Sequence, residues 1–232
     1  ICDFFGMRSA KKVKKLVGPA SVVVGTNVFA HIDNLDEVMR AVRFMVKNDG
    51  VFIFESPYFQ HLVENLEYDT IYHEHLSYLS IRPLVPFFAK FGMEIFLIME
   101  THIHGGSIRV FVGKKSRRPI DESVKKFLKV EKESKLHEKE TMLNFAKRVR
   151  QNRDELMTVI EKLLHQGKKV IAVSAPAKGM TLLNYIGISN RHISLISEKA
   201  RLKIGRFAPG GHGGGHIPVV SDEELVKEKV DY

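Results

Sequence analysis

The chain has 232 residues, 44% of them hydrophobic and 27% charged, which is the balance of a soluble globular protein with one large domain or two small ones. Its single cysteine, Cys2, excludes an internal disulfide framework, and no apolar run reaches the roughly 18 residues that a membrane-spanning helix requires, so a cytoplasmic, reduced protein with no membrane partner is expected. The net charge of +9 favours an anionic partner, but the basic pairs, such as Lys11-Lys12, Lys114-Lys115 and Lys168-Lys169, are scattered without aromatic interleaving, which speaks for solvated faces and against a nucleic-acid partner.

The chain starts at Ile1 with no initiator Met or signal-like stretch, which reads as an internal start. Ser21-Val22-Val23-Val24-Gly25-Thr26 is a β-branched run ending in small residues, the pattern of a buried parallel strand entering a loop. Leu35, Val38, Met39, Val42 and Met45 recur at helical spacing, with Asp33 or Asn34 as N-cap and Asp49-Gly50 as the stop. A second buried strand follows at residues 51–55 and halts at Ser56-Pro57, completing a right-handed βαβ unit. Ligands of such sheets bind beyond the carboxyl ends of the strands, here near Asn27 to His31 and Glu55 to Tyr58.

Next comes Tyr72-His73-Glu74-His75, four consecutive side chains that titrate or donate protons, on a segment placed beside those strand ends. Such a cluster is the usual supply for general acid and base catalysis. A two-residue His spacing without a third strong ligand does not make a metal site, and no metal is expected in this chain. Residues 81–91 read as a helix with Gly92 beyond its end, and strands at 94–101 and 108–112 flank a turn, His104-Gly105-Gly106-Ser107, as an antiparallel hairpin closing one sheet edge. From Ile120 to Gln166 a helical stripe runs through Met142, Phe145, Val149, Leu156 and Ile160, and the charge-rich stretch 125–140 before it reads as solvated.

A second α/β pattern opens with a strand at 169–174, then Ala175-Pro176-Ala177-Lys178-Gly179, a helix over 180–186, and strands at 192–196 and 217–220. Backbone amides at that strand-to-helix turn, together with Lys178, suit a phosphate, although the spacing is neither a Walker loop nor a dinucleotide fingerprint. Gly210 to Gly215 reads as a plain linker.

Taken in order, Asn27-Val28-Phe29-Ala30-His31, Tyr72-His73-Glu74-His75-Leu76-Ser77-Tyr78, His104-Gly105-Gly106-Ser107-Ile108-Arg109 and Ala175-Pro176-Ala177-Lys178-Gly179 with Leu182-Leu183-Asn184-Tyr185 resemble the S-adenosylmethionine-dependent sugar C-methyltransferases, which methylate C3 of nucleotide-linked 4-keto-deoxysugars. The resemblance implies an α/β chain with residues 1–118 as the later part of a class I methyltransferase domain, a partial Rossmann-like sheet with an antiparallel hairpin. It implies a helical connecting arm at 119–166 and a small Rossmann-like domain at 167–232 that helps hold the sugar nucleotide. In the family an N-terminal zinc domain and a glycine-rich cofactor loop precede the matched region, and neither pattern is present here, so the methylation machinery is expected to be incomplete in this chain and zinc is expected only outside it. This chain has Val173-Ser174 where the family has a glycine-containing strand end, and Ser197-Glu198-Lys199 where an Asp-containing loop is usual.

The roles implied by the resemblance are His75 as base at C3, Tyr72 as nearby donor or alternative base, Glu74 as orienting carboxylate, and Asn27 and His31 as partners of the developing enolate or the sugar hydroxyls. His104, Arg109, Lys178 and Tyr78 would bind the nucleotide sugar, and Asn27, Val28 and Phe29 would line the S-adenosylmethionine site. The alternative is a nucleotide-sugar-binding module without catalysis, or a subunit completed by a separate N-terminal partner.

Overall fold

In the computed structural model, residues 1–226 and 231 are described, with the side chains of His104 and His212 outside that description. The chain divides into two compact units, one of residues 1–67 and 73–142 and the other of residues 68–72 and 143–232. None of the described helices is long and apolar enough to cross a membrane.

The first unit begins with α1 (Met7–Val17), followed by β1 (Ala20–Thr26), α2 (Leu35–Met45) and β2 (Val46–Pro57). β1 and β2 pair in parallel, with Val24 opposite Ile53 and Thr26 opposite Glu55, as the two β-branched runs imply. α2 starts where Asn34 caps it, the Asn34 Oδ1 accepting from the Glu37 amide at 3.0 Å. Its end differs from the sequence reading: the helix stops at Met45, and Asp49-Gly50 lies inside β2. Gly50 serves a close approach there, because a Cβ on it would sit 3.0 Å from the Ala20 and Ser21 carbonyl oxygens.

Then follow α3 (Phe59–Glu64), α4 (Ile81–Ala89), β3 (Met93–Thr101), β4 (Ser107–Lys114) and α5 (Glu122–Glu133). β3 and β4 form the expected hairpin, β4 pairs antiparallel with β2, and the sheet order is β1-β2-β4-β3. One face is the core: Phe52, Phe54, Val110 and Val112 pack against Val38, Met39 and Val42 of α2 and Leu84 and Phe88 of α4. On the other face Val22 and Val24 remain 52% and 61% exposed. The stretch 125–140 is not simply solvated, since Glu131 and Leu136 are each buried at 1% exposure. Glu131 explains why a charged residue can be there: its carboxylate accepts from the Tyr58 hydroxyl at 2.9 Å and from the Ile81 and Arg82 amides that open α4.

The second unit contains α6 (Lys139–His165) from Leu143 onward, β5 (Ala172–Val173), α7 (Ala177–Ile186), β6 (Ile196–Glu198), β7 (Phe207–Ala208), β8 (Ile217–Ser221) and the single turn α8 (Asp222–Leu225). β5, β6 and β8 are parallel, β7 is antiparallel to β8, and the order is β5-β6-β8-β7. Two corrections concern strand positions. β5 is shorter than 169–174, and the strand expected at 192–196 lies at 196–198 because Ser189 to Ile193 close a turn, Ile193 N donating to Ser189 O at 3.0 Å. The glycine run 210–215 is also not a linker. Gly211 donates to the Ile188 carbonyl at 2.8 Å, and a Cβ on Gly211 would lie 2.5 Å from the Gly187 Cα. These glycines are packed against the end of α7.

Candidate active site

The first site is assembled at the carboxyl end of β1. The chain leaves the strand through Asn27, whose φ of 52° is left-handed and whose amide donates to the Glu55 carbonyl at 2.8 Å. A short 3-10 turn, Phe29–His31, follows because the Phe29 ring enters the core and stacks on Phe54 with centroids 4.7 Å apart. Phe29 is 1% exposed, so only its backbone is open to a ligand, whereas Val28 is 48% exposed. The Asn27 Oδ1 is buried with no hydrogen-bond partner among the described residues.

The loop after His73 is fastened to this turn. Leu76 and Ser77 both donate to the Ala30 carbonyl, at 2.9 and 3.2 Å, and Leu79 pairs with Tyr58 beyond the end of β2. The result is that the His31 and His75 rings meet edge to face, 4.8 Å between centroids at 69°. The Tyr78 ring is 6.5 Å from His75 on its other contact and 6.2 Å from Phe59. Glu74 is exposed at the turn, with no partner among the described residues. Tyr72 is half-buried and belongs with the second unit, while His73, Glu74 and His75 belong with the first. Of the residues singled out in the sequence, Asn27, His31, His75 and Tyr78 are thus gathered in one unit at the strand ends. The side chain of His104 lies outside the described residues.

Arg109 is directed elsewhere. It sits opposite Glu55 in the β2–β4 ladder, and its Nη2 and Nε donate to Glu55 Oε2 at 2.7 and 3.1 Å. Glu55 is 5% exposed at its side chain and Arg109 39%, so the guanidinium neutralises a buried carboxylate and keeps only its remaining N–H groups for a ligand.

Two polar pairs escape a sequence reading. His61 Nε2 meets a Glu100 oxygen at 2.9 Å, in a cavity of about 410 Å³ that also exposes Asn65, His102 and Gly106. Gly106 at φ 122° is pressed on His61, whose Nδ1 would be 2.2 Å from a Cβ there. Tyr58 has its phenol held well above its ordinary range, first by burial and then by the neighbouring Glu131 carboxylate. Only the helix-opening Ser80 hints at such an arrangement; nothing in the sequence says that an acid 50 residues later supplies the cap.

In the second unit the Ala175-Pro176-Ala177-Lys178-Gly179 turn is held by Glu198, at the carboxyl end of the adjacent strand β6. Its Oε2 accepts from the Ala175 amide at 2.9 Å, its Oε1 accepts from the Lys199 and Ala200 amides, and Lys203 bonds both the Ala175 carbonyl at 2.8 Å and Glu198 at 3.2 Å. These backbone donors, Ala175 foremost, bring the Glu198 carboxyl down to about 2. Lys178 lies in the first turn of α7, half-buried, with no partner among the described residues and no side-chain cap on the helix. Ser174, at the strand end where a glycine would suit, takes φ 71°. Tyr68 has its hydroxyl raised by burial first, then by Tyr185 and Asp69.

Among the described residues no group of three or more His, Cys, Asp or Glu side chains is placed to hold a metal ion.

Comparison with known proteins supports the family resemblance. Residues 102–232 match the family described as "C-methyltransferase C-terminal domain", and residues 3–97 match "Methyltransferase domain". C-methyltransferase NovU of Streptomyces niveus is 32% identical over 216 residues, 93% of this chain and 50% of that protein, so the chain spans about half the length of this curated relative. A SAM-dependent methyltransferase structure from Anabaena variabilis ATCC 29413 superposes with a TM-score of 0.35 at 14% identity, over 49% of this chain and 56% of that one, too slight a likeness to bear on the fold. With the C-methyltransferase C-terminal domain accounting for more than half of its residues, the chain belongs to the C-methyltransferase family.

Proposed function

We propose that this protein takes part in S-adenosylmethionine-dependent methylation at C3 of a nucleotide-linked 4-keto-deoxysugar, with His75 as the base that removes the C3 proton. The observation that supports this most is the pairing of His31 and His75 at the carboxyl ends of two parallel strands, 4.8 Å apart and fixed by two hydrogen bonds to Ala30. A proton alpha to a ketone becomes removable when a base is positioned on it and the oxygen gains a donor as charge develops there.

S-adenosylmethionine, when bound, supplies an already electrophilic methyl group. The residues at the end of β1 fit such a ligand in one respect: Asn27 offers a buried acceptor with no partner among the described residues, next to the exposed Val28. Within the chain, an imidazole nitrogen of His75 would receive the C3 proton. His31 would hold the His75 ring in place from its edge, and Asn27 or His31 would donate to the enolate oxygen, each such donor being worth about 3 kcal/mol in the transition state. Tyr78 would limit the space beside His75. The first turn of α7 with Lys178 suits the diphosphate.

The test is methyl transfer from isotopically labelled S-adenosylmethionine to a nucleotide-linked 4-keto-deoxysugar, with the product mapped by NMR. A labelled methyl on C3 is expected, and labelling at an oxygen or at another carbon would overturn the assignment.

A further inference from the structure

The segment that follows His75 is fastened along its whole length. At its start the Leu76 and Ser77 amides donate to the Ala30 carbonyl. Further on, Leu79 pairs in parallel with Tyr58, and its carbonyl accepts from the Phe59 amide at 2.9 Å. At its end Ile81 and Arg82 open α4, and their amides donate to the Glu131 carboxylate of α5. The same carboxylate accepts from the Tyr58 hydroxyl at 2.9 Å, so one side chain joins the residue after β2 to the start of α4 and to α5. His137 Nε2 lies 3.3 Å from its second oxygen.

Helix capping by itself does not account for this arrangement. A helix start is ordinarily satisfied by the side chain of its own N-cap residue, and serine is among the best residues for the purpose. Ser80 occupies that position at α4 but makes no side-chain cap bond, and its hydroxyl lies 3.5 Å from His137 Nε2 instead. The two amides are served by a carboxylate that stands 50 and 49 residues along the chain and is 0% exposed. Taking a carboxylate out of water is far costlier than using a serine at the surface. What the distant carboxylate adds, and a local cap could not, is the tie to Tyr58. Through Tyr58 it reaches the end of β2, where the Glu55 carbonyl takes the Asn27 amide at 2.8 Å. The loop that carries His75 is thereby fixed relative to the turn that carries His31, and the 4.8 Å contact of the two rings depends on both. We infer that Glu131 is a positioning residue, which sets the place of His75 by clamping residues 76–82 to Tyr58. The bearing of this on catalysis rests on the reading of His75 as the base, whereas the geometry stands apart from it.

Three variants of the purified protein test it. Glu131→Gln keeps the shape of the side chain but leaves one acceptor oxygen in place of two. Tyr58→Phe keeps the ring and breaks only the tie that a helix cap does not need, and it decides the matter alone if Glu131→Gln does not fold. Val124→Ala, a buried truncation earlier on the same helix, controls for lost stability. All are studied at a temperature where circular dichroism shows them folded. The first readout needs no substrate: the imidazole NMR signals of His31 and His75, in histidine-labelled protein and assigned by single His→Gln substitutions. They should move in Glu131→Gln and in Tyr58→Phe and stay in place in Val124→Ala. Signals unmoved in either of the first two, or moved as far in Val124→Ala, would overturn the inference. The second readout is exchange of the C3 proton of the keto-sugar. Because a displacement of about 1 Å at a reacting group can cost about 10²-fold, kcat in Glu131→Gln should fall roughly ten- to a hundred-fold with KM little changed. A raised KM at unaltered kcat would overturn the positioning role in catalysis. If the unaltered protein exchanges no C3 proton, the reading of the reaction falls, and the ring signals still decide whether Glu131 positions His75.

Discussion

Replacing Glu131 with Ala is expected to destabilise the first unit more than any other single truncation of a charged side chain in it. The Glu131 side chain is fully buried at 0% exposure, and its carboxylate accepts from the Tyr58 hydroxyl at 2.9 Å, the Arg82 amide at 2.9 Å and the Ile81 amide, with His137 Nε2 at 3.3 Å. Truncation strands three donors. Two of them open α4, directly after the loop that presents His75, so the loss falls on the downstream anchor of the candidate site. Hydrogen bonds to a charged acceptor are each worth about 1.5–3 kcal/mol, and water entering the vacated space recovers part of that, which leaves a net cost of about 3–5 kcal/mol. With a urea m-value of about 2 kcal/mol/M, the midpoint should fall by roughly 1.5–2.5 M. Tyr58→Phe removes only one donor and should cost about 1–2 kcal/mol. Urea unfolding followed by far-UV circular dichroism measures both. A Glu131→Ala midpoint no lower than that of Tyr58→Phe would refute the claim that this carboxylate caps α4.

Three further outcomes follow from the second unit. Ser174→Gly should stabilise by about 0.5–1 kcal/mol, because φ 71° costs a side-chain-bearing residue about 1–2 kcal/mol while glycine returns part of that as unfolded-chain entropy; a lower melting temperature would mean the hydroxyl has a role of its own. The Glu198 carboxyl lies near 2 in the folded protein against an ordinary 4.5, so its contribution is complete above about pH 4.5 and is lost as pH falls toward 2. Urea midpoints across that window should fall less steeply in Glu198→Gln, and identical slopes would contradict the Ala175 contact. Gly211→Ala should cost about 1–3 kcal/mol, since its Cβ would lie 2.5 Å from the Gly187 Cα; a neutral effect in thermal unfolding would show that the glycine run yields.

Local pattern carried much of the fold. The β-branched run at 21–26 and the helical spacing of Leu35, Val38, Met39 and Val42 each specify an element through contacts a few residues apart, and both elements form. Asp49-Gly50 misled because glycine serves two purposes, helix termination and close backbone approach, and only the facing Ala20 and Ser21 carbonyls reveal the second. The same ambiguity hid the packing of Gly210 to Gly215 behind the composition of a linker. Adjacent residues at 72–75 drew attention to the candidate site, and the chain from Asn27 to His31 was placed near it by the rule for strand ends. Glu131, Glu198 and the Glu55–Arg109 pair were invisible for a common physical reason: each carboxylate is stabilised by donors from a distant element, and a charged residue in sequence looks like surface until its partners are known. Arg109 illustrates the reverse, a cation suited to a substrate phosphate that a buried neighbour claims first.

Proton removal from C3 can be observed without methyl transfer, and this gives the most direct test of the proposed role of His75. The measurement is deuterium incorporation at C3 of a nucleotide-linked 4-keto-deoxysugar in heavy water, followed by NMR, with the unaltered protein and with His75→Ala. The unaltered protein should catalyse exchange, and His75→Ala should slow it by about 10²-fold or more, the usual contribution of a positioned general base. Exchange in His75→Ala at the unaltered rate would contradict the assignment of His75 as the base.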